Sequence, residues 1–352
     1  MTKIIFGKLV ICVFILPLVF SSCASTGNTE PRPAAGLSLP DWVRDPYTRY
    51  DRQAYVAVRG SGNTLAFAER NALGNLVAFF EQHIEINERA IERYQEAIRD
   101  GRTASWSINT ELDTEILRHA RFDTLIGAEI GSVWNDGITY YAVAILNKAR
   151  AIQIYSDIVR SNQRMIDNLL DMTPFERNTL EGFARYQFAA TIADITAPYL
   201  NLLSVIGGPV PQFRRGDEYR LEALNITRAI PIYIRVQNDR AARIQGAFAR
   251  ALSDLGFQSG GNNSRYVLDV NINTAPVEFP GSPHSWTRIE VSANLVDTVF
   301  GTVLLPYNFN IREGHTTQAE ADNRAIMAAE RRINEEYARL FSDYLSRLLP
   351  QR

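Results

Sequence analysis

Cysteine and histidine are scarce in this chain, which has two cysteines and four histidines among 352 residues. Cys12 lies in an apolar stretch that we expect to be removed, so the mature chain would keep one thiol, at Cys23. A disulfide bond within one mature chain is therefore excluded. No histidine lies near another histidine, or near a cysteine, at the spacing of metal ligands, so the sequence predicts no metal site and no other cofactor. The four histidines are His83, His119, His284 and His315.

An excess of positive charge is also missing. The chain has 37 basic and 39 acidic side chains, a formal net charge of −2. Without a basic surface it cannot collect the phosphates of a nucleic acid, so we expect no nucleic-acid partner. Hydrophobic residues make up 46% and charged residues 22% of the chain, ordinary values for a globular protein. The length predicts about two domains.

Residues 1–22 follow the three-part pattern of a secretory signal peptide. A short positive region precedes the apolar run 9–20, which is too short for a bilayer that needs about 20 apolar residues. Ser21-Ser22-Cys23 resembles the end of a lipobox, although Phe20 stands where leucine is usual. We therefore predict that cleavage before Cys23 leaves a lipoprotein with diacylglycerol and palmitate on that cysteine. An ordinary secretory signal with an incidental cysteine is the alternative.

The segment 23–40 is polar and contains three prolines, which is typical of a flexible tether. It would join the lipid on Cys23 to the folded protein, so the first expected partner is a membrane. The residue after the cysteine is Ala24 rather than aspartate, the residue that keeps lipoproteins from being sorted to the outer membrane. In this it resembles lipoproteins sorted to the outer membrane, and we expect that location, facing the periplasm or exposed at the cell surface.

Residues 41–147 have the pattern of a first α+β domain. A strand at Tyr55–Val58 is followed by a glycine-containing turn, Gly60–Thr64, and one long helix whose second half, Glu85–Asp100, is charged enough to be solvated. Strand-like alternation then appears near Trp106, Ile108 and Leu112. The residues Asn135-Asp136-Gly137 predict a hairpin turn between two further strands, since they tolerate positive φ.

Residues 148–206 predict a helical hairpin that joins two domains. Apolar spacing is helical through Met172, and Thr173-Pro174-Phe175-Glu176 has the form of a capping box that starts the second helix. Pro198 would end or kink that helix. A transmembrane helix is the alternative here, but Arg185 and Asp194 interrupt the apolar run.

Residues 207–352 repeat the order of the first domain. An alternating strand at Ile230–Val236 precedes a helix that Asn238 would cap and Gly256 would end in a left-handed conformation. Three alternating strands and a long final helix follow. The predicted fold is α+β: two βαβββ-type domains with antiparallel sheets and packed helices, joined by the helical hairpin.

Several of these residues resemble the LPP-twenty family of bacterial lipoproteins. The resemblance covers roughly residues 40–150. It is carried by Pro40-Asp41-Trp42-Val43, by the strand and turn 55–62, by alanines on the next helix, and by the hairpin 134–144. It implies an outer-membrane or surface lipoprotein without known enzyme activity, in some cases tied to flagellar or cell-envelope structures. Only Cys23 carries over as a functional residue.

The sequence contains few groups of residues that could act together in catalysis or binding. We interpret His83 as structural, and the loop Ser282-Pro283-His284-Ser285 lacks the glycines of a nucleophile elbow. Arg312–Thr317 joins a strand to the final helix and could bind an anion through free backbone N–H groups, but a cap by Thr316 or Thr317 is the preferred interpretation.

Two other polar segments were candidates for binding. The turn Gly60–Thr64 lacks the third glycine of a dinucleotide fingerprint and the lysine of a P-loop, so we do not expect it to bind a nucleotide. The charged residues of the final helix are expected to form a solvated face. They are Glu320, Asp322, Arg324, Glu330, Arg331 and Arg332.

Two classes of function remain from the sequence. We favour a membrane-anchored cell-envelope lipoprotein with a non-catalytic binding, scaffolding or assembly role, whose partner is an envelope protein or the cell wall. An exposed apolar part of residues 183–206 is the expected contact surface. The alternative is an envelope hydrolase acting on peptidoglycan, which would need converging carboxylates or a nucleophile-base pair.

Overall fold

A computed structural model describes residues 38–81, 87–99, 125–239 and 242–349. Tertiary contacts divide the chain into Met1–Leu39 and Pro40–Arg352, and the elements below belong to the second unit. The signal peptide, Cys23, His83, His119 and the strand predicted near Trp106 lie outside the described residues. The elements are α1 (Asp41–Arg44), β1 (Tyr55–Gly62), α2 (Leu65–Glu81), α3 (Glu88–Arg99), β2 (Ala128–Asn135), β3 (Tyr140–Asn147), α4 (Lys148–Leu170), α5 (Pro174–Arg177), α6 (Leu180–Val205), α7 (Gly216–Ala229), β4 (Ile232–Gln237), α8 (Arg243–Ser253), β5 (Tyr266–Val277), β6 (Ser285–Asp297), β7 (Thr302–His315) and α9 (Gln318–Arg347).

Among the described residues, the first sheet has three antiparallel strands in the order β1-β3-β2. The predicted hairpin is confirmed, with Gly137 at φ 96° between β2 and β3. Strand β1 continues through Gly62, so the turn predicted to begin after Val58 is wrong. A Cβ on Gly60 would lie 2.1 Å from the backbone N of Ala72, so this glycine allows β1 and α2 to pack closely.

Helix α2 packs on one face of this sheet, and the segment 41–50 covers the other face. Trp42 and Val43 are buried, and the Arg59 guanidinium donates to the carbonyl of Val43. Tyr50 and Ser132 share a hydrogen bond of 2.6 Å between their hydroxyl oxygens, beside the irregularity in the β2–β3 pairing. Trp42 and Val43 of the Asp41-Trp42-Val43 motif are therefore part of the core, whereas Asp41 is exposed.

One long helix was predicted after β1, and the structure corrects this to two. Helix α2 ends at Glu81 and α3 begins at Glu88, where Asn87 Oδ1 accepts from the N–H of Ala90 at 3.1 Å. The charged second half is not fully solvated either. Four of its residues are buried, and α3 packs on α6. They are Ala90, Ile91, Tyr94 and Ala97.

The helical hairpin is present as α4 and α6, which pack against each other. Thr173 and Glu176 form the predicted capping box, but it starts only the single turn α5. Thr179 then caps α6, accepting from the N–H of Gly182 at 3.0 Å.

Helix α6 is a core helix. Among the described residues it is the one helix long and apolar enough to cross a membrane, and 67% of its most apolar stretch is buried within the protein. Between residues 183 and 206 the exposed side chains are Ala197, Asn201 and Ser204. The apolar contact surface predicted there is therefore wrong, because the protein's own helices cover it.

Helix α7 is an element that was not predicted. Its buried residues Tyr219, Ala223 and Ile226 follow helical spacing. It packs on α6, where Arg220 pairs with the largely buried Asp194 at 2.7 Å.

In the part of the chain that the structure describes, the second sheet has four strands in the order β4-β5-β6-β7. The three strands predicted for its larger part are confirmed and pair antiparallel, whereas β4 pairs with β5 in parallel. A parallel pair needs a crossover, which α8 provides. Helices α8 and α9 pack against the sheet, so the fold is α+β with helices on antiparallel-dominated sheets, as the sequence predicts.

Asn238 was expected to cap the helix after β4, and this is wrong. Helix α8 begins five residues later, at Arg243, and the Asn238 amide donates to the carbonyl of Ile272 at 3.1 Å. Gly256 has φ 88°, which confirms the left-handed terminator after α8.

One hydrophobic cluster connects both sheets and the helices between them. Phe183 of α6 contacts Phe257 at 5.1 Å between ring centroids, and Phe257 contacts Phe341 of α9 at 5.3 Å. The domain boundaries 41–147, 148–206 and 207–352 stay a prediction, since a shared cluster does not show which parts fold alone.

Candidate functional site

The predicted polar sites that fall in the described residues are explained by local structure. Ser282 Oγ accepts from the backbone N–H of His284 at 3.2 Å and from the Trp286 indole at 3.0 Å, so it organises the loop before β6. Thr317 accepts from the N–H of Glu320 at 3.4 Å, which confirms the cap of the final helix. His315 Nδ1 lies 3.2 Å from Thr316 Oγ1, and Arg312 belongs to β7 rather than to a turn.

The solvated face predicted for the final helix is only partly present. Glu320 and Arg324 do form a surface pair at 3.5 Å, and Arg331 is exposed. Asp322 instead accepts a hydrogen bond from the buried Thr287 hydroxyl. The remaining two charged residues also contact neighbouring elements. Glu330 pairs with Arg243 of α8, and Arg332 lies over the Phe309 ring.

The described residues give no support for a metal site or a nucleotide site. Among the described residues, no group of three or more His, Cys, Asp or Glu side chains is placed to hold a metal ion. The glycines of Gly60–Thr64 lie in or beside strand β1, and Gly60 faces the helix rather than an open cradle.

The open face of the second sheet is the candidate site. Helices α8 and α9 cover the face formed by the buried alternate residues, and the other alternate residues point away from them. The centre of this open face is polar and amide-rich, and we call it the asparagine face. It consists of Asn271, Asn273, Glu290, Ser292, Asn294, Asn308 and Asn310.

Strand register aligns these side chains in rows. Asn271 pairs with Ser292, which pairs with Asn308. In the next row Asn273, Glu290 and Asn310 are aligned in the same way. Three strands place the ends of each row about 10 Å apart. A concavity of about 480 Å³ lies over the two rows.

Most of the amides on this face are free to bind. Ser292 Oγ donates to Asn308 Oδ1 at 2.7 Å, and Asn273 Nδ2 donates to Glu290 Oε2 at 3.4 Å. Within the described part of the chain, the side chains of Asn271, Asn294 and Asn310 make no such bond. Each amide keeps a donor and an acceptor available to a ligand.

The charges around the asparagine face are largely neutralised. Arg235 pairs with Asp269 at 2.7 Å, and this hydrogen-bonded pair raises the pKa of the arginine. Arg288 pairs with Glu290 at 3.2 Å. Arg312 is exposed and has no ion-pair partner among the residues described, so the face carries one uncompensated charge.

An aromatic pair closes one end of the open face. Trp286 lies on the same side of β6 as Glu290 and Ser292, and its ring contacts Phe279 at 5.1 Å between centroids. A Cβ on Gly314 of β7 would lie 2.8 Å from the indole, so the ring rests on the backbone at that glycine.

Sequence reasoning missed this face because it followed only the inward residues of the strands. Outward asparagines flank an inward apolar residue in Asn271-Ile272-Asn273 and again in Asn308-Phe309-Asn310. Asparagine is depleted in strands, where β-branched and aromatic residues are favoured. Two such triplets, on the strands β5 and β7 that flank β6, were the signal.

No protein-family model matches the sequence, and no curated protein matches it. Solved structures similar to this chain include a secreted protein of Helicobacter pylori, with a TM-score of 0.38 and 12% identity over 80% of this chain and 98% of that one. Two lipoproteins are similar over about a third of this chain. A minor lipoprotein of Acinetobacter baumannii has a TM-score of 0.25 and 14% identity, covering 34% of this chain and 91% of that one. Rare lipoprotein B of Shewanella oneidensis has a TM-score of 0.24 and 12% identity, covering 33% and 95%. TM-scores this low carry no inference about function.

Proposed function

We propose that this chain is a cell-envelope lipoprotein, held to the outer membrane by lipid on Cys23, whose role is binding rather than catalysis. The observation that carries the proposal is the asparagine face. Five of its seven residues are exposed, its rows are aligned by strand register, and it is rich in a residue type that strands disfavour. Local rules of sequence are broken mainly where function requires it.

Membership of the LPP-twenty family is part of this proposal. The residues that carry the resemblance have clear structural roles, since Trp42 and Val43 pack on the first sheet and Gly60 admits helix α2. A first domain of this kind would serve as the fixed part of the molecule, and the second sheet would supply the binding surface.

Among the described residues, the open face of the second sheet gives no support to the hydrolase alternative. Both carboxylates on the open face are committed to ion pairs, Asp269 with Arg235 and Glu290 with Arg288. A general acid or base needs a carboxyl group that is free to exchange its proton with a substrate.

The anchor is tested by Cys23→Ala. We expect this substitution to abolish labelling by a fatty-acid probe and to release the protein from the membrane fraction or stall it as a precursor. Lipid labelling that persists in the Cys23→Ala protein would contradict the anchor.

The binding role is tested in a deletion strain. We expect Asn271→Ala/Asn310→Ala to lose the envelope function at normal protein level and localisation, whereas His284→Ala and His315→Ala keep it. Asn168→Ala/Asn201→Ala is the matched control, because both asparagines are exposed on helices α4 and α6. Full function of the Asn271→Ala/Asn310→Ala protein, or loss of function in either histidine variant, would overturn the proposal.

A further inference from the structure

We propose that the asparagine face binds a glycan strand, an uncharged chain of pyranose rings bearing hydroxyl or acetamido groups. This inference rests on the proposed function and specifies its ligand. The amides, the charge balance and the aromatic end of the face each point to that chemistry.

The amides suit a ligand that both donates and accepts hydrogen bonds at every ring. A primary amide offers two donors and one acceptor oxygen, and a sugar hydroxyl is itself donor and acceptor. Asn271, Asn294 and Asn310 present such groups on three different strands. They lie in three successive rows, with Asn310 level with Glu290, Asn271 level with Ser292, and Asn294 one row further along β6. A ligand running obliquely over β5, β6 and β7 would therefore meet all three.

The charge balance disfavours a polyanion. Nucleic acids and other polyanions are bound by rows of uncompensated lysines and arginines. Here Arg235 and Arg288 are already neutralised by carboxylates, and Arg312 alone remains.

A protein partner also fits poorly. The centres of protein interfaces are fully desolvated and contain aromatic or aliphatic anchors. The two central rows of this face contain amide, hydroxyl and carboxylate side chains, and the apolar residues that alternate with them point toward the helices.

The aromatic end gives the face a stacking surface. Trp286 and Phe279 lie beyond the amide rows, and Phe279 is 40% exposed. Trp combines a large apolar ring with a polar edge, which suits a surface that is partly wet. From Trp286 to Asn294 the strand spans about 26 Å, enough for several pyranose rings.

The test is titration of the full-length lipoprotein, purified in detergent, with defined oligosaccharides. A hexamer of N-acetylglucosamine and a hexamer of glucose distinguish acetamido from hydroxyl recognition, and chitin and cellulose provide the corresponding uncharged polymers. We expect binding of at least one of these probes, accompanied by a change in tryptophan fluorescence that Trp286→Phe removes.

Substitutions locate the binding. Each of Asn271→Ala and Asn310→Ala is expected to weaken binding roughly 2- to 10-fold, the effect of losing a neutral hydrogen bond. Asn168→Ala/Asn201→Ala should leave the affinity unchanged. Equal chemical-denaturation midpoints for all variants show that each is folded.

Three results would overturn the inference. One is no binding of either hexamer or of either polymer, and another is binding that the face substitutions do not weaken. The third is self-association, measured by light scattering, that the same substitutions abolish, because the face would then be an amide-lined contact between copies. If glycan binding fails while the face variants still lose function in cells, the proposed function stands and its ligand is of another class.

Discussion

The close packing of β1 against α2 predicts that Gly60→Ala destabilises the protein strongly. The added methyl group would lie 2.1 Å from the N and 2.6 Å from the Cα of Ala72, and 2.6 Å from the O of Ala68. All three are backbone atoms, so no side-chain rotation relieves the overlap. Helix α2 has to move by more than 1 Å to restore ordinary contact distances near 3.4 Å.

Such a movement loosens the core under the helix. Leu76 and Phe80 of α2 are fully buried, as are the two alanines that face Gly60. Overpacking of a core typically costs 1–3 kcal/mol, and we expect about 3 kcal/mol here because the backbone itself is displaced. Gly60 is outside the left-handed region, so the cost is steric rather than conformational.

Gly74→Ala is the matched control, since Gly74 lies on helix α2, which packs against Gly60, and its added Cβ would meet nothing within 4 Å. This substitution should stabilise the protein by about 0.5–1 kcal/mol through helix propensity. The assay is urea unfolding followed by circular dichroism. A Gly60→Ala protein as stable as the parent chain would refute the account of how β1 and α2 pack.

Two further predictions concern ion pairs. Asp194→Asn should cost about 1–2 kcal/mol of unfolding free energy, because it weakens charge-assisted bonds to Arg220 at 2.7 Å and Asn87 at 3.0 Å. Asp217→Asn should cost little in the same urea assay, since the Arg215–Asp217 pair is exposed, and equal losses for the two variants would contradict the assignment. The Arg332 guanidinium, followed by the Tyr307 hydroxyl, holds the pKa of Glu336 below its usual 4.5. A carboxyl group whose pKa is lowered by folding stabilises the folded state at pH values above its unfolded pKa. This stabilisation is lost as the pH falls through the folded pKa. The stability difference between the parent chain and Glu336→Gln should therefore be constant near pH 7 and shrink below pH 4.5, and a difference that grows on acidification would show the sign to be wrong.

The strands and helices of the second sheet were largely predictable because their apolar alternation is local. The parallel pairing of β4 was not, since pairing direction depends on where the chain returns after α8. Helix α7 was missed although Tyr219, Ala223 and Ile226 are spaced as in a helix, because the exposed Leu221 and Leu224 obscure the contrast between its apolar and polar sides. The division between α2 and α3 depends on their different packing partners, which no single segment specifies.

The candidate site illustrates a different limit. The amide residues were visible as Asn271, Asn273, Asn308 and Asn310, but only the register of β5, β6 and β7 brings them into common rows. The polar segments that the sequence did suggest, such as Thr316-Thr317 and Gly60–Thr64, serve as a helix cap and a packing site. The type of each side chain is known from the sequence, but which side chains lie close together is determined by the fold.

The most direct test of the central claim is site-specific photo-cross-linking in living cells. A photoreactive residue at position 308, in the asparagine face, should form an adduct with an envelope component, and the same residue at position 168 on helix α4 should form none. Adducts of equal yield at both positions, or an adduct at 168 alone, would contradict the claim that the second sheet carries the binding surface.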